Sequence, residues 1–135
     1  MLSLHKTLRT TLLMAVMLVF AMPVSAAQWE MLGTRTVKRN LDKDVMQVSI
    51  AEGGFRQIKI TVKRSPVNIK RIIVQYANGS LDELKVRSVI AAGGETRLLD
   101  LRGGKRAIRN ITFFYETIEK GRGKSIVTAW GRRGV

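Results

Sequence analysis

Cysteine is absent from the 135-residue chain, and histidine occurs once, as His5. The lack of cysteine excludes disulfides, thiolate nucleophiles and metal sites built on thiolates. His5 belongs to an N-terminal segment that we expect to be removed, so the mature domain is expected to lack imidazole as well. Ser-His-Asp and Cys-His catalytic machinery and zinc or copper sites built on imidazole are then excluded. We expect no cofactor and no metal ion.

The N-terminal segment has the three-part pattern of a secretory signal peptide. A short basic opening precedes an apolar run from Leu12 to Phe20, and the small residues Val24 to Ala27 follow it. The run is shorter than the roughly 20 apolar residues that cross a bilayer. We therefore predict a signal peptide at residues 1–26, cleaved after Ala26 or one residue later. The protein is expected to be exported, to the periplasm or out of the cell, with no transmembrane span in its mature form.

Acidic residues are few, since 10 Asp and Glu oppose 24 Lys and Arg. Removal of residues 1–26 takes away Lys6 and Arg9, which leaves 22 basic and 10 acidic residues and a charge of +12 on the remaining 109. Such an excess attracts polyanions with an affinity that depends on salt. The candidate anion contacts are Lys59, Lys63, Lys85, Arg87, Arg102, Lys105, Arg106 and Arg109. The alternative is that these residues only keep the protein soluble and protect strand edges.

Helical periodicity is also missing, because no stretch of eleven or more residues repeats apolar side chains with a 3.6-residue period. Ile, Val and Thr make up 28 of the 109 residues after Ala26, which favours strands. We predict an all-β fold, a single small antiparallel β-sandwich of about eight strands in residues 27–135. The predicted strands are Gln28–Val37, Asp44–Ile50, Gln57–Lys63, Val67–Tyr76, Leu81–Ile90, Thr96–Leu101, Ile108–Glu116 and Ser125–Trp130.

Alternation within these strands predicts which side chains face the core. Ile58, Ile60 and Val62 share one face, and the lysines between them share the other. In the Val67–Tyr76 strand the apolar parity changes, which predicts a β-bulge at Lys70-Arg71. Asn78-Gly79 predicts a hairpin with a two-residue type I′ turn. The strands Ile108–Glu116 and Ser125–Trp130 are predicted to pair around the loop at 121–123.

Close acidic pairs occur at Asp42 with Asp44 and at Asp82 with Glu83. Neither has the ligand-rich spacing of a calcium loop, so we expect solvated turn carboxylates. A hydrolase that uses only carboxylates is the enzymatic alternative, with Asp82 and Glu83 as its candidate acids. Among the aromatic residues, Phe114 must face away from its neighbours Phe113 and Tyr115, which are expected in the core.

Several segments resemble a known family. They are Leu32-Gly33, the strand from Phe55 to Val62, the segment from Ile90 to Thr96, the strand from Lys105 to Phe113, and Ala129-Trp130-Gly131. Together they are similar to the YaaI-like family of small exported bacterial proteins of unknown function. The resemblance implies export and a small β-rich domain, and it supplies no catalytic residues. Members carry one cysteine near the start of the Phe55 strand and another near Ala107, whereas this chain has neither.

The expected function is that of a non-enzymatic binding or accessory module associated with the cell envelope. Its basic surface would contact anionic envelope lipid, lipopolysaccharide or another polyanion, and the sequence contains no dedicated nucleic-acid-binding motif. A further alternative is a protein that binds another exported chain through an exposed strand edge. The oligomeric state is left open.

Overall fold

The computed structural model describes residues 28–38, 43–49, 53–116 and 124–134. The predicted signal peptide, Asp42, Ile50 and the loop at 121–123 lie outside the described residues. Within the described ranges no helix is long and apolar enough to cross a membrane.

Two antiparallel sheets form a β-sandwich. The strands are β1 (Glu30–Val37), β2 (Lys43–Gln47), β3 (Gly54–Phe55), β4 (Gln57–Lys63), β5 (Val67–Tyr76), β6 (Leu81–Ile90), β7 (Leu99–Asp100), β8 (Arg106–Glu116) and β9 (Ser125–Arg132). The four-stranded sheet has the order β1-β9-β4-β7, and the five-stranded sheet has the order β2-β8-β5-β6 with β3 also paired to β8. The predicted all-β antiparallel sandwich is confirmed.

The core lies between the two sheets and is built by alternating apolar residues. Ile58, Ile60 and Val62 of β4 are at most 1% exposed, as the alternation predicts. The bulge predicted in β5 is also confirmed, because the register with β8 shifts between Ile69 and Arg71 and leaves Lys70 without a partner residue. Because of the extra residue, the apolar side chains of β5 before and after the bulge all face the same core.

The predicted pairing of the last two long strands is wrong. β8 pairs with β2 and β5, whereas β9 pairs with β1 and β4 in the other sheet. Alternation gives the same pattern to a strand whether its neighbour lies beside it or across the core, so it does not distinguish a hairpin from a crossing. The predicted strand Thr96–Leu101 is reduced to β7. At Thr96 the backbone N–H donates to Ile60 O at 2.9 Å, but the side-chain hydroxyl accepts the Ile60 N–H at 3.0 Å, where a regular strand would use a carbonyl.

The hairpin between β5 and β6 is confirmed, but its predicted turn type is wrong. Gly79 N–H donates to Tyr76 O at 2.9 Å, and Tyr76 N–H donates to Ser80 O at 2.9 Å, which encloses a three-residue loop. Gly79 has a φ of 90°, whereas Arg64 is the one non-glycine residue with positive φ in the described ranges. Asn78 therefore does not adopt the type I′ conformation, and the turn matches a longer loop closed by glycine.

The chain passes from one sheet to the other at Arg56. The preceding strand β3 pairs with β8, and the following strand β4 pairs with β9. Arg56 itself donates its N–H to Arg132 O at 2.8 Å and accepts from Leu101 N–H at 2.9 Å. This crossing joins the two sheets at one end of the sandwich, and the loops at that end carry most of the cations described next.

Candidate functional site

Five cationic residues gather at the end of the sandwich where the chain changes sheet. We call this cluster the basic end and define it as Arg56, Arg102, Lys105, Arg106 and Arg109. Four of these are sequence-predicted contacts, and Arg56 is added by the fold. Lys105 packs against Gly54, and the Arg56 guanidinium comes within 3.6 Å of the position that a Cβ on Gly104 would take. The crossing segment and the loop before β8 are therefore adjacent.

Arg106 is held in place by several contacts to the hairpin turn and to its own loop. Its guanidinium lies 3.9 Å from the centre of the Tyr76 ring. It donates to Arg102 O at 3.0 Å and to Ser80 Oγ at 3.0 Å, and it also reaches Asn78 Oδ1 at 3.4 Å. A guanidinium has five N–H donors, so this arrangement fixes its orientation and leaves donors for a ligand.

Arg109 connects β8 to the same turn. Its guanidinium donates to Ala77 O at 2.8 Å. Arg102, by contrast, is 78% exposed at its side chain and lies 3.8 Å from the Asp82 carboxylate. The turn thus positions Arg106 and Arg109, while Arg102 and Lys105 extend from the loop into solvent.

The carboxylate that contacts the basic end is Asp82, which is only 3% exposed. It accepts a hydrogen bond from the Tyr76 hydroxyl at 2.6 Å and another from the Arg102 N–H at 2.9 Å. Asp44 is 7% exposed and pairs with Arg35 at 2.8 Å. The prediction of solvated turn carboxylates is wrong for both residues, because each faces the interior and exchanges water for a charged or hydroxyl partner.

Burial raises the pKa of both tyrosines above their ordinary value of 10.0. Desolvation is the main cause for each, and Asp82 adds to it at Tyr76 as Asp44 does at Tyr115. A raised folded-state pKa leaves stability unchanged below pH 10 and lowers it as the pH rises further. We expect stability to fall by up to about 2.7 kcal/mol per pH unit above pH ~10, or about 1.4 for each phenol.

Ultraviolet absorbance of tyrosinate measures this directly. We expect no tyrosinate in the folded protein just above pH ~10, and its appearance together with unfolding. Tyr115→Phe leaves one buried phenol instead of two. The decrease in stability per pH unit above pH ~10 should therefore be about half as steep. Ordinary titration of both rings while circular dichroism still reports a folded sandwich would contradict the prediction.

The other four predicted cations do not join the basic end. Lys59 and Lys63 lie on β4, on the outer face of the four-stranded sheet. Lys85 and Arg87 lie on β6, and Lys85 faces outward from the five-stranded sheet. The eight predicted contacts are thus divided among three places, and sequence alone does not show that division.

Lys85 lines a groove of about 1460 Å³ on the outer face of the five-stranded sheet. Lys70 and Arg71 at the bulge and Phe114 on β8 also line it. Phe114 faces away from the core as predicted, and the Arg71 guanidinium lies 4.2 Å from its ring centre. Glu83 pairs with Arg71 at 3.2 Å and offsets part of the groove's charge.

The two candidate acids of the hydrolase alternative are not brought together. Asp82 faces the interior, and Glu83 faces the groove on the opposite side of β6. Each is already paired, Asp82 with Tyr76 and Glu83 with Arg71. In the described ranges no group of three acidic, histidine or cysteine residues could hold a metal ion.

Comparisons with known proteins add the family and a fold relative. No curated protein matches the sequence. A solved structure from the structural and functional characterization of Pseudomonas aeruginosa AlgX is similar, with a TM-score of 0.56 and 16% identity over 78% of this chain. The match covers 27% of that chain, so this protein spans about a quarter of its length, and the likeness shows a shared fold.

The resemblance noted in the sequence predicts a family of unknown function, and the YaaI-like name for it stays a prediction. A family model described as "Domain of unknown function (DUF2541)" matches residues 11–131, and the chain belongs to that family.

Proposed function

We propose that this protein is an exported, non-catalytic binding module that holds anionic polymers of the cell envelope at the basic end. The main support is the placement of charge. Five cations lie together, three in adjacent loops and two on β8, while the carboxylate that contacts them, Asp82, is buried and turned toward the protein. A flexible anionic chain would therefore meet mainly cations there, which favours association that weakens with salt.

The chemistry of the side chains also supports binding over catalysis. Arginine stays protonated in proteins, so it does not transfer protons, and its planar fork suits carboxylate and phosphate groups. Arg106 and Arg109 are fixed by hydrogen bonds to the hairpin turn. Contacts of this kind reduce the entropy lost when a ligand is bound.

The test compares two variants of equal charge. Arg102→Gln/Lys105→Gln/Arg109→Gln removes three cations from the basic end, and Lys63→Gln/Lys70→Gln/Lys85→Gln removes three from the two outer sheet faces. We expect the first variant to elute from immobilised heparin at much lower salt than the second. The slope of log affinity against log salt should fall by about two for the first variant, as for loss of three phosphate-like contacts.

The outcomes separate a site from a general charge effect. Equal losses in the two variants would show that heparin responds to net charge alone and would overturn the proposal. Retention of the natural protein that does not change with salt, or no retention, would also overturn it. Circular dichroism of both variants checks that the sandwich is intact.

A further inference from the structure

The outer face of the four-stranded sheet carries both tryptophans of the chain. Strand register places its side chains in rows. One row is Asp100, Gln57 and Arg132, with Trp29 just before β1 at its end. The next row is Lys59, Trp130 and Met31. The third row is Thr61, Thr128 and Thr34. Neither tryptophan belongs to the core between the sheets.

Two cations of this face lie over the Trp29 ring. Lys59 Nζ is 4.6 Å from its ring centre, and the Arg132 guanidinium is 4.9 Å from it. Arg132 also donates to Gln57 Oε1. Its Nε is buried and has no hydrogen-bond partner among the described residues, so the protein leaves part of this guanidinium unsatisfied.

Trp130 is fixed at the centre of the face. Its indole N–H donates to Thr61 Oγ1 at 2.9 Å, and both residues are only half-buried. Met31 beside it is 56% exposed. An aromatic ring held in one orientation by a polar neighbour, with further apolar surface next to it, is typical of a binding surface and is unusual for a solvated sheet face.

The mixture of groups on this face suits a sugar chain. A pyranose ring offers C–H groups that stack on an indole and hydroxyls that bond to threonine and glutamine side chains. Neighbouring strands are ~4.8 Å apart, close to the length of one sugar unit. A chain that crosses the strands would place successive units over Trp29, Arg132 and Gln57.

The cations near Trp29 favour a sugar chain that carries carboxylates, whereas Asp100 at the far end of the same row is exposed and opposes its charge. Lys59 and Arg132 are both within 5 Å of the Trp29 ring centre, so the acid group of a unit that contacts this residue lies beside a cation. The same face continues into the basic end, because Arg132 O accepts the Arg56 N–H. Glu95 pairs with Lys59 at 3.4 Å and is 52% exposed, so it competes for that ammonium.

We propose that the face around Trp29 and Trp130 binds one strand of an acidic polysaccharide, which then continues to the basic end. This inference rests on the proposed function and specifies its ligand class. It also assigns a role to the two tryptophans, which do not pack in the core between the sheets.

Tryptophan fluorescence tests it, because both indoles are on the proposed surface. Purified protein is titrated with polygalacturonate and, in parallel, with the same polymer after methyl esterification, which removes the charge. We expect a saturable change in fluorescence and an affinity at least about tenfold higher for the acid form. Trp29→Ala should lower the affinity for polygalacturonate about tenfold, as for a central aromatic contact. Phe114→Ala, on the opposite sheet, is the matched control and should bind as the natural protein does.

A second variant gives a change in the opposite direction. Glu95→Gln removes the carboxylate that competes for Lys59, so we expect it to bind polygalacturonate about threefold more tightly. Loss of folding does not produce tighter binding. Trp130→Phe keeps the ring and removes the N–H, and it should lower affinity less than Trp29→Ala does.

The outcomes distinguish this inference from the proposed function. If polygalacturonate binds, and binding needs Arg102, Lys105 and Arg109 but leaves fluorescence and Trp29→Ala unchanged, the inference is wrong and the proposed function stands. If neither heparin nor polygalacturonate binds, both are wrong. Fluorescence that changes with protein concentration in the absence of polymer would show a second copy on this face and would overturn the inference.

Discussion

Replacement of Phe55 by alanine is expected to lower the free energy of unfolding by about 3–5 kcal/mol. Phe55 is fully buried, and it stands on β3 directly before the chain changes sheet. Its ring packs against Gly131 of the other sheet and lies 4.5 Å from the Arg133 guanidinium. Removal of the ring leaves a cavity between the sheets at the place where they are joined. Denaturant unfolding of both proteins measures the difference, and an unchanged m-value shows that it is one of stability.

Gly131→Ala tests the same contact from the opposite side. A Cβ at this position would lie 2.6 Å from Cδ1 of Phe55, so one of the two must shift. We expect a cost of about 1–3 kcal/mol from overpacking. Phe55→Leu should cost less when Gly131→Ala is also present, because the smaller side chain makes room for the methyl group. Additive effects of the two substitutions would contradict a direct contact.

Asp82→Ala is expected to lower the free energy of unfolding by about 2–4 kcal/mol, because it leaves two hydrogen-bond donors without their acceptor. The Tyr76 hydroxyl and the Arg102 N–H would both lose their acceptor. The cations of the basic end would also lose the negative charge beneath them. Thermal and denaturant unfolding measure the loss, and raised salt should recover the part that comes from repulsion between the cations.

Two milder variants separate the parts of this network. Tyr76→Phe removes one donor and keeps the ring under Arg106, so we expect it to lower the free energy of unfolding by about 1 kcal/mol. Asp82→Asn keeps an acceptor and removes the charge. Its loss of stability should lie between those of Tyr76→Phe and Asp82→Ala. A stability of Asp82→Ala within about 0.5 kcal/mol of the natural protein would contradict the network, since that is the range of ordinary surface changes.

Strands with a clear apolar pattern between turn residues could be predicted from the sequence to the residue. β4, β5 and β6 begin and end as predicted, because their apolar positions and the turns that bound them agree. The bulge at Lys70 could be predicted as well, since a change of parity within one strand has few other solutions. Local patterns decide these features, and the sequence contains them completely.

Features that depend on distant partners could not be predicted in this way. The sheet that receives β9 is decided by packing across the core, and the burial of Asp82 is decided by Tyr76 and a loop twenty residues away. The ladder is irregular before β7 because Thr96 donates its backbone N–H to Ile60 O but accepts the Ile60 N–H with its hydroxyl. None of these choices changes the periodicity of the residues involved.

The candidate site was predictable in part. The run from Arg102 to Arg109 is dense enough to be recognised as one basic cluster. Arg56 joins it only because the chain crosses between sheets at that residue. Trp29 and Arg132 are more than a hundred residues apart in the sequence, and only the pairing of β1 with β9 shows that they belong to one surface.

The position of β9 has a consequence for how the protein is made. Among the described strands β9 is the last in the sequence, and it lies between β1 and β4, so those two have no shared neighbour until β9 is made. The four-stranded sheet therefore cannot close until β9 has been synthesised. Pairing of such distant segments is slow, so we expect the four-stranded sheet to form late in folding.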